Sequence, residues 1–336
     1  MRKLIFSLLS LAIISGLFIP VSGMAAELAE KQHMRFAVPI RDIKTMDPAF
    51  STLTGEKTIV SEMTNGLLRF PLGRVRLEMI EGDLAEKWDV SQDRLKWTFY
   101  LRKGVKWHKG YGEVSAEDVK FSLERIKNPA TGSPWAKKYA DIESIEVIDP
   151  LTVRITLKKP DPFFELNLIG YHGGQIVSKN AVEKLGKDFA FNPIGSGPFV
   201  FDSYQKGQGI VLKRNTEYFR GAPILETLEY IFMPDTSSRL LAIERGEVDA
   251  GRGVNTKEWA EKVTKMGIKL LPPIPAQQTI LIFNMKRKPL DDIRVRRALA
   301  YALDRDLFVD LLGPVLGGHP ISPNPAGIFG PIEMGL

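Results

Sequence analysis

The four histidines, His33, His108, His172 and His319, lie far apart in a chain of 336 residues, and no two stand at metal-ligand spacing. Each reads more readily as a surface or structural imidazole than as a ligand, so no metal site is expected. There is no cysteine, which removes thiolate nucleophiles, thiolate metal sites and disulfides together. No G-x-S-x-G elbow, H-E-x-x-H helix or G-x-x-x-x-G-K-[ST] loop occurs. The nearest glycine pattern, "GRGVNT" from Gly251, lacks the third glycine of a dinucleotide fingerprint and the helix behind it. Triads are spatial, so an exported hydrolase is weakened rather than removed. From these residue types and spacings no catalytic residue and no cofactor is expected.

The elements along the chain alternate between two periods. "LKWTFYLRKGVKW" places Trp97, Phe99 and Leu101 on one face of a half-buried strand. "SAEDVKFSLERI" is a helix: Ser115 with Asp118 forms a capping box, and Val119, Leu123 and Ile126 share a face. "IEVIDPLTVRITL" predicts two strands joined at Asp149-Pro150, with Val153, Ile155 and Leu157 alternating. A strand is predicted over 36–40, ahead of a turn at Asp47-Pro48. A hairpin is predicted over "FVFDSYQKGQGIVLKRN", turning on Gly207 and Gly209. "DTSSRLLAIERGEVDAG" reads as a helix burying Leu240 and Ile243, stopped by Gly246, then a short strand. "QQTILIFNM" suits a buried strand. Helices follow in "DDIRVRRALAYAL", through Val295, Leu299 and Leu303, and in "RDLFVDLLG", closed by Gly313. Strands and helices mixed without strict alternation indicate α/β or α+β architecture.

Composition bounds the compartment. Hydrophobic content of 44% and charged content of 26% are those of a soluble globular chain. Arg2 and Lys3, the apolar run from Leu4 to Val21, and the small residues Gly23 and Ala25 form a secretory leader over residues 1–26. An N-terminal membrane anchor is the alternative, and Pro20 favours cleavage over it. Without a cysteine no lipid can be attached at the cleavage point, so a soluble periplasmic protein is expected, not a lipoprotein. The net charge of +6 is scattered, with no clustered basic face, which argues against nucleic acid. The Gly- and Pro-rich tail, "GPVLGGHPISPNPAGIFGPIEMGL", carries no helix or strand signal at its end, so the chain reads as stopping mid-structure.

"NPIGSGPF", from Asn192 to Phe199, packs two prolines and two glycines into eight residues and reads as a sharply specified turn or crossover. With it come other blocks in a fixed order: "TMDPAF", "EMTNGLLRF", "GDLAEKWDVSQDRLKWTFYLRKGVKWHKG", "SAEDVKFSLERI", "RGEVD" and "FNMKRKPLDDIRVRRALAYALDRD". Together, over about Met34 to Pro325, they resemble the extracytoplasmic solute-binding proteins of family 5, which serve peptide and nickel ABC importers. Single blocks are weak signals; the ordered set is specific.

The resemblance implies an α/β fold of the periplasmic-binding-protein type, class II, a two-lobed clamp. Residues 34–65 and 185–275 would form the main part of lobe 1, residues 66–184 a subdomain inserted into it, and 276–336 the start of an incomplete lobe 2. "NPIGSGPF" would return the chain from the inserted part to the main one. A glycine loop holding an anion would need a helix directly behind it, and a strand signal follows instead. The implied ligand is an oligopeptide or dipeptide held by backbone hydrogen bonds, or else a nickel chelate, haem, opine or sugar. The implied partners are ABC permease subunits, with the binding protein a monomer. Cleft candidates are Phe50, Ser51 and Thr52 after the Asp-Pro turn, Gly251, Arg252, Gly253 and Val254 after "GEVD", and Gln277 and Gln278 ahead of the hinge. Each is equally readable as a solvent-facing loop. Arg252 stands out because a guanidinium can pair a ligand carboxylate through two hydrogen bonds. The ligand-terminus residues of the family fall mainly beyond this sequence, so weak solute binding is expected of the 336-residue form.

Overall fold

Alternation along the first strand decides how the main sheet is covered. Met34, Phe36 and Val38 join one hydrophobic cluster, whereas Ala37 joins another on the opposite face. The computed structural model describes residues 31–71, 79–170, 172–254, 256–271, 282–304, 306–307 and 310. In chain order the elements begin with β1 (His33–Val38), α1 (Thr54–Met63), β2 (Asn65–Gly66), β3 (Leu68–Arg69) and β4 (Glu81–Gly82). Next come β5 (Ala85–Val90), β6 (Lys96–Leu101), α2 (Ala116–Lys127), β7 (Ile142–Asp149) and β8 (Thr152–Leu157). Then follow α3 (Phe164–Asn167), β9 (Gln175–Ile176), α4 (Lys179–Leu185), β10 (Phe199–Gln205), β11 (Gly209–Arg214) and β12 (Thr227–Phe232). The last are α5 (Thr236–Glu244), β13 (Ala250–Gly251), α6 (Lys257–Lys265) and α7 (Ile293–Ala302).

The five-stranded sheet has the order β10-β11-β12-β1-β13. β1 runs parallel to both neighbours, with Phe36 opposite Tyr230 on one side and Ala250 on the other. β10, β11 and β12 pair antiparallel. Ile59, Val60 and Met63 of α1 cover one face, against Phe201, Leu212 and Phe232, and Ala242 of α5 covers the other. The second sheet, β5-β6-β8-β7, is antiparallel and lies in sequence between α1 and β10. Its Trp97, Phe99, Val153 and Ile155 are fully buried in one cluster with Val119, Leu123 and Ile126 of α2, the face that the 3.6-residue spacing marked.

Several expectations shift at their edges. The strand expected over 36–40 starts at His33 and ends at Val38, where Pro39 has no amide to continue the ladder. Gly207 makes the hairpin turn with φ +70°, but Gly209 lies inside β11 opposite Ile231. α5 buries Leu240 and Ala242, with Ile243 half-buried. α7 forms as expected and buries none of its residues; Leu299 is exposed and Leu303 lies just past its end. Spacing encodes an apolar face, but a face is buried only by something packed on it, and no described residue covers this one. The leader, the 277–281 part of "QQTILIFNM", Gly313 and the tail lie outside the described residues, and residues 282–285 form no strand.

The crossover at 192–198 explains its own composition. A Cβ on Gly195 would lie 1.8 Å from the Met63 carbonyl oxygen, and one on Gly197 would lie 2.5 Å from the Met63 carbonyl carbon. Neither glycine has positive φ; both are required by close approach of two backbones rather than by a left-handed turn. The segment is tied in place by His108, whose amide donates to Gly195 O at 2.8 Å and whose Nε2 meets Gly197 O at 3.0 Å. Asn215 adds its Nδ2 to Gly197 O, and the Ser196 hydroxyl reaches Asn65 Oδ1, each at 3.0 Å.

Candidate functional site

The chain leaving β1 is folded by carboxylates that turn inward. Asp47 Oδ1 accepts the Ala49 amide at 3.0 Å, and its carbonyl accepts those of Phe50 and Ser51 at 3.0 Å, which makes the Asp-Pro turn. Both Asp47 oxygens also take Arg125 of α2. Glu56, 1% exposed on the first turn of α1, gathers the amides of Lys44 (2.7 Å), Thr52 (3.2 Å) and Leu53 (3.2 Å). Phe50 is half-buried beneath the Arg125 guanidinium, 5.2 Å from its ring centre. Ser51 is buried, so Thr52 is the exposed member of the three. The carbonyls of Ala49 and Ser51 accept Ser133 Oγ at 2.7 Å and Trp135 Nε1 at 3.2 Å.

The chain leaving β13 is held from below. Arg252 N donates to Ala37 O at 3.1 Å, extending the β1 ladder past Gly251. The Arg252 carbonyl accepts Arg239 Nε at 2.8 Å. Arg239, 3% exposed, also donates to Met233 O at 2.6 Å, Pro234 O at 2.8 Å and Thr236 Oγ1 at 3.0 Å. One guanidinium thus ties the exits of β12 and β13 to the start of α5. Burial lowers the Arg239 pKa; Asp235 opposes that shift, and the charge of Arg252 adds to it. Trp259 of α6 lies on Gly253 so closely that a Cβ there would be 2.0 Å from the ring. Val254 is half-buried and Arg252 exposed. Among the described residues no acceptor engages the Arg252 guanidinium.

Gly251 to Val254, and the chain that runs on to Phe50, Ser51 and Thr52, therefore follow the carboxyl ends of the adjacent parallel strands β13 and β1, the edge of an open α/β sheet where ligand crevices form. The contacts of Phe50 to Thr52 themselves are with Asp47, Glu56, Arg125 and Trp135. Gln277 and Gln278 lie outside the described residues. Among the described residues no group of three His, Cys, Asp or Glu is placed to hold a metal ion. Three residues that shape this edge were not singled out from sequence. Glu56 follows Leu53, which offers no capping oxygen to flag the motif. Trp135 and Ser51 are 84 residues apart, and Arg239 looks like an ordinary helix-surface arginine.

A mixed sheet with loops opening from its parallel strands, and a buried frame holding those loops, is a periplasmic-binding-protein-like fold. Residues 79–331 match the family of bacterial extracellular solute-binding proteins, family 5 middle region, and the chain belongs to that family. It is 30% identical over 266 residues to the glutathione-binding protein GsiB of Salmonella paratyphi A, covering 79% of this chain and 51% of that protein. It is 34% identical to the dipeptide-binding protein of Escherichia coli K12, covering 73% and 49%. The chain spans about half the length of these curated relatives. Among solved structures, MoaA of A. tumefaciens R10 in complex with mannopinic acid superposes with a TM-score of 0.73 at 38% identity, covering 84% of this chain and 57% of that one. NikZ of Campylobacter jejuni in complex with Ni(L-His) gives 0.72 at 30% identity, covering 84% and 55%. The family is one of solute-binding proteins rather than enzymes.

Proposed function

We propose that the chain is the periplasmic capture component of an ABC importer, taking oligopeptides or dipeptides and handing them to a membrane permease. The leader, residues 1–26, would be cleaved, leaving an unlipidated monomer. Residues 34–65 and 185–275 would make the main part of one lobe, 66–184 its inserted subdomain, and 276–336 would open the other lobe of the clamp. The solute would lie along Phe50, Ser51, Thr52 and Gly251 to Val254, with Gln277 and Gln278 at the hinge. The observation that carries the reading is Arg252: an exposed guanidinium without an acceptor among the described residues, its backbone fixed on both sides, just past the carboxyl end of β13 beside β1. Such a group pairs a carboxylate, and every peptide has one. The 38% identity to a chain holding mannopinic acid favours an opine as the second reading.

Calorimetry on the purified chain with dialanine, trialanine, glutathione and mannopinic acid tests this. At least one is expected to bind without chemical change, and Arg252→Gln is expected to weaken it about tenfold, a loss of roughly 1.4 kcal/mol. Turnover of a bound solute, or undiminished affinity in Arg252→Gln, would overturn the assignment.

A further inference from the structure

We propose that Trp135 is a positioning residue for the solute loop: its indole N–H holds the Ser51 carbonyl and so sets the direction of Thr52. The inference rests on the placement of Phe50 to Thr52 at the solute crevice. The ring has one place to be. It lies against the bare backbone of Gly173, where a Cβ would come within 2.8 Å of Cδ1. His172 packs against it with centroids 5.0 Å apart, and the Lys57 ammonium sits 5.3 Å from its centre. Ser133 Oγ accepts the Trp135 amide at 3.3 Å while donating to Ala49 O at 2.7 Å, so one short turn carries both donors.

The consequence falls on a single peptide plane. The amide of Ser51 is tied to Asp47 O and that of Thr52 to Glu56, and between them the Ser51 carbonyl faces the indole at 3.2 Å. Ser51 is 2% exposed, so water does not readily replace the lost donor. Without the N–H, the Ser51–Thr52 plane keeps only its long Thr52 N–Glu56 bond at 3.2 Å, that bond opens more often, and the exposed Thr52 side chain is re-aimed. Residues of the second sheet's segment would thereby set affinity without touching solute.

Trp135→Phe keeps an aromatic ring and removes the donor. Amide hydrogen exchange at Thr52 and Leu53 is expected to speed up at least about tenfold, with the melting temperature within about 2 °C of wild type. Affinity for whichever of dialanine, trialanine, glutathione or mannopinic acid binds wild type is expected to fall about tenfold. Unchanged exchange at Thr52, or an equal rise throughout β5 to β8, would overturn the proposal, as would faster exchange with intact affinity. If wild type binds none of the four solutes, the functional reading fails on its own, and exchange alone decides the role of Trp135. A second readout needs no variant: in nitrogen-15 spectra of the wild-type chain the Trp135 indole N–H is expected to exchange slowly. Rapid exchange there would refute the hydrogen bond and the proposal with it.

Discussion

Arg125 meets Asp47 through both terminal guanidinium nitrogens, Nη1 and Nη2, at 3.0 and 2.5 Å, joining α2 to the loop that follows β1. The Asp47 side chain is 4% exposed and that of Arg125 17%, so the pair is sheltered from salt and water. Asp47→Ala would leave a partly buried cation unpaired and remove the acceptor that shapes the Asp-Pro turn. A loss of about 3–5 kcal/mol is expected, read as a lower urea midpoint at unchanged slope. A loss below about 1 kcal/mol would show that the pair is not structural.

Acid should loosen the crossover. His108 is 4% exposed, gives Nε2–H to Gly197 O and has no partner for Nδ1 among the described residues. Burial lowers its pKa from 6.5 to about 4. The unfolded chain therefore takes up the proton first. This stability is complete above about pH 6.5, declines as pH falls, and has gone near pH 4, a total of up to about 3 kcal/mol. His172, half-buried beside Lys138 and Lys57, shifts in the same direction, so the test is a difference. His108→Gln should melt with a shallower pH dependence than wild type between pH 4 and about 6.5. Parallel curves would refute the assignment.

Two glycines separate close approach from turn geometry. In Gly195→Ala the new methyl group collides with the Met63 carbonyl, and neither backbone can yield without moving α1. A loss of about 4 kcal/mol is expected, a large share of a domain's stability. Gly207→Ala meets nothing within 4 Å and pays only for φ +70°, about 1 kcal/mol. Thermal melts of the two variants should differ accordingly, and similar melts would contradict the close approach.

Asp118 caps two helices at once. It accepts the Ser115 amide and hydroxyl at 3.0 and 2.8 Å, and also the Lys179 amide at the start of α4, at 2.9 Å. Asp118→Ala is expected to cost roughly 2–4 kcal/mol, more than a single cap. Faster exchange of the Lys179 amide would mark the second cap; unchanged exchange would place the whole effect on α2.

Local signals survived where each residue answers to its neighbours. The alternation of Trp97, Phe99 and Leu101 and the spacing of Val119, Leu123 and Ile126 became buried faces, because side-chain period is a property of the strand or helix itself. The capping box at Ser115 was readable for the same reason. The site was legible only as two short loops. That Ser51 is buried, that Arg239 anchors Arg252, and that Trp135 reaches Ser51 depend on partners 13 to 84 residues away.

The sequence by itself determined the period of each element, the absence of thiol chemistry, and the ordered blocks of the family. Only the tertiary structure decided which strands run side by side, and hence that the loops after β1 and β13 open on one edge. It also decided why "NPIGSGPF" needs its glycines. Their requirement comes from the Met63 carbonyl, 132 and 134 residues away in the chain, and a contact set by packing has no signature at either residue until the backbones meet.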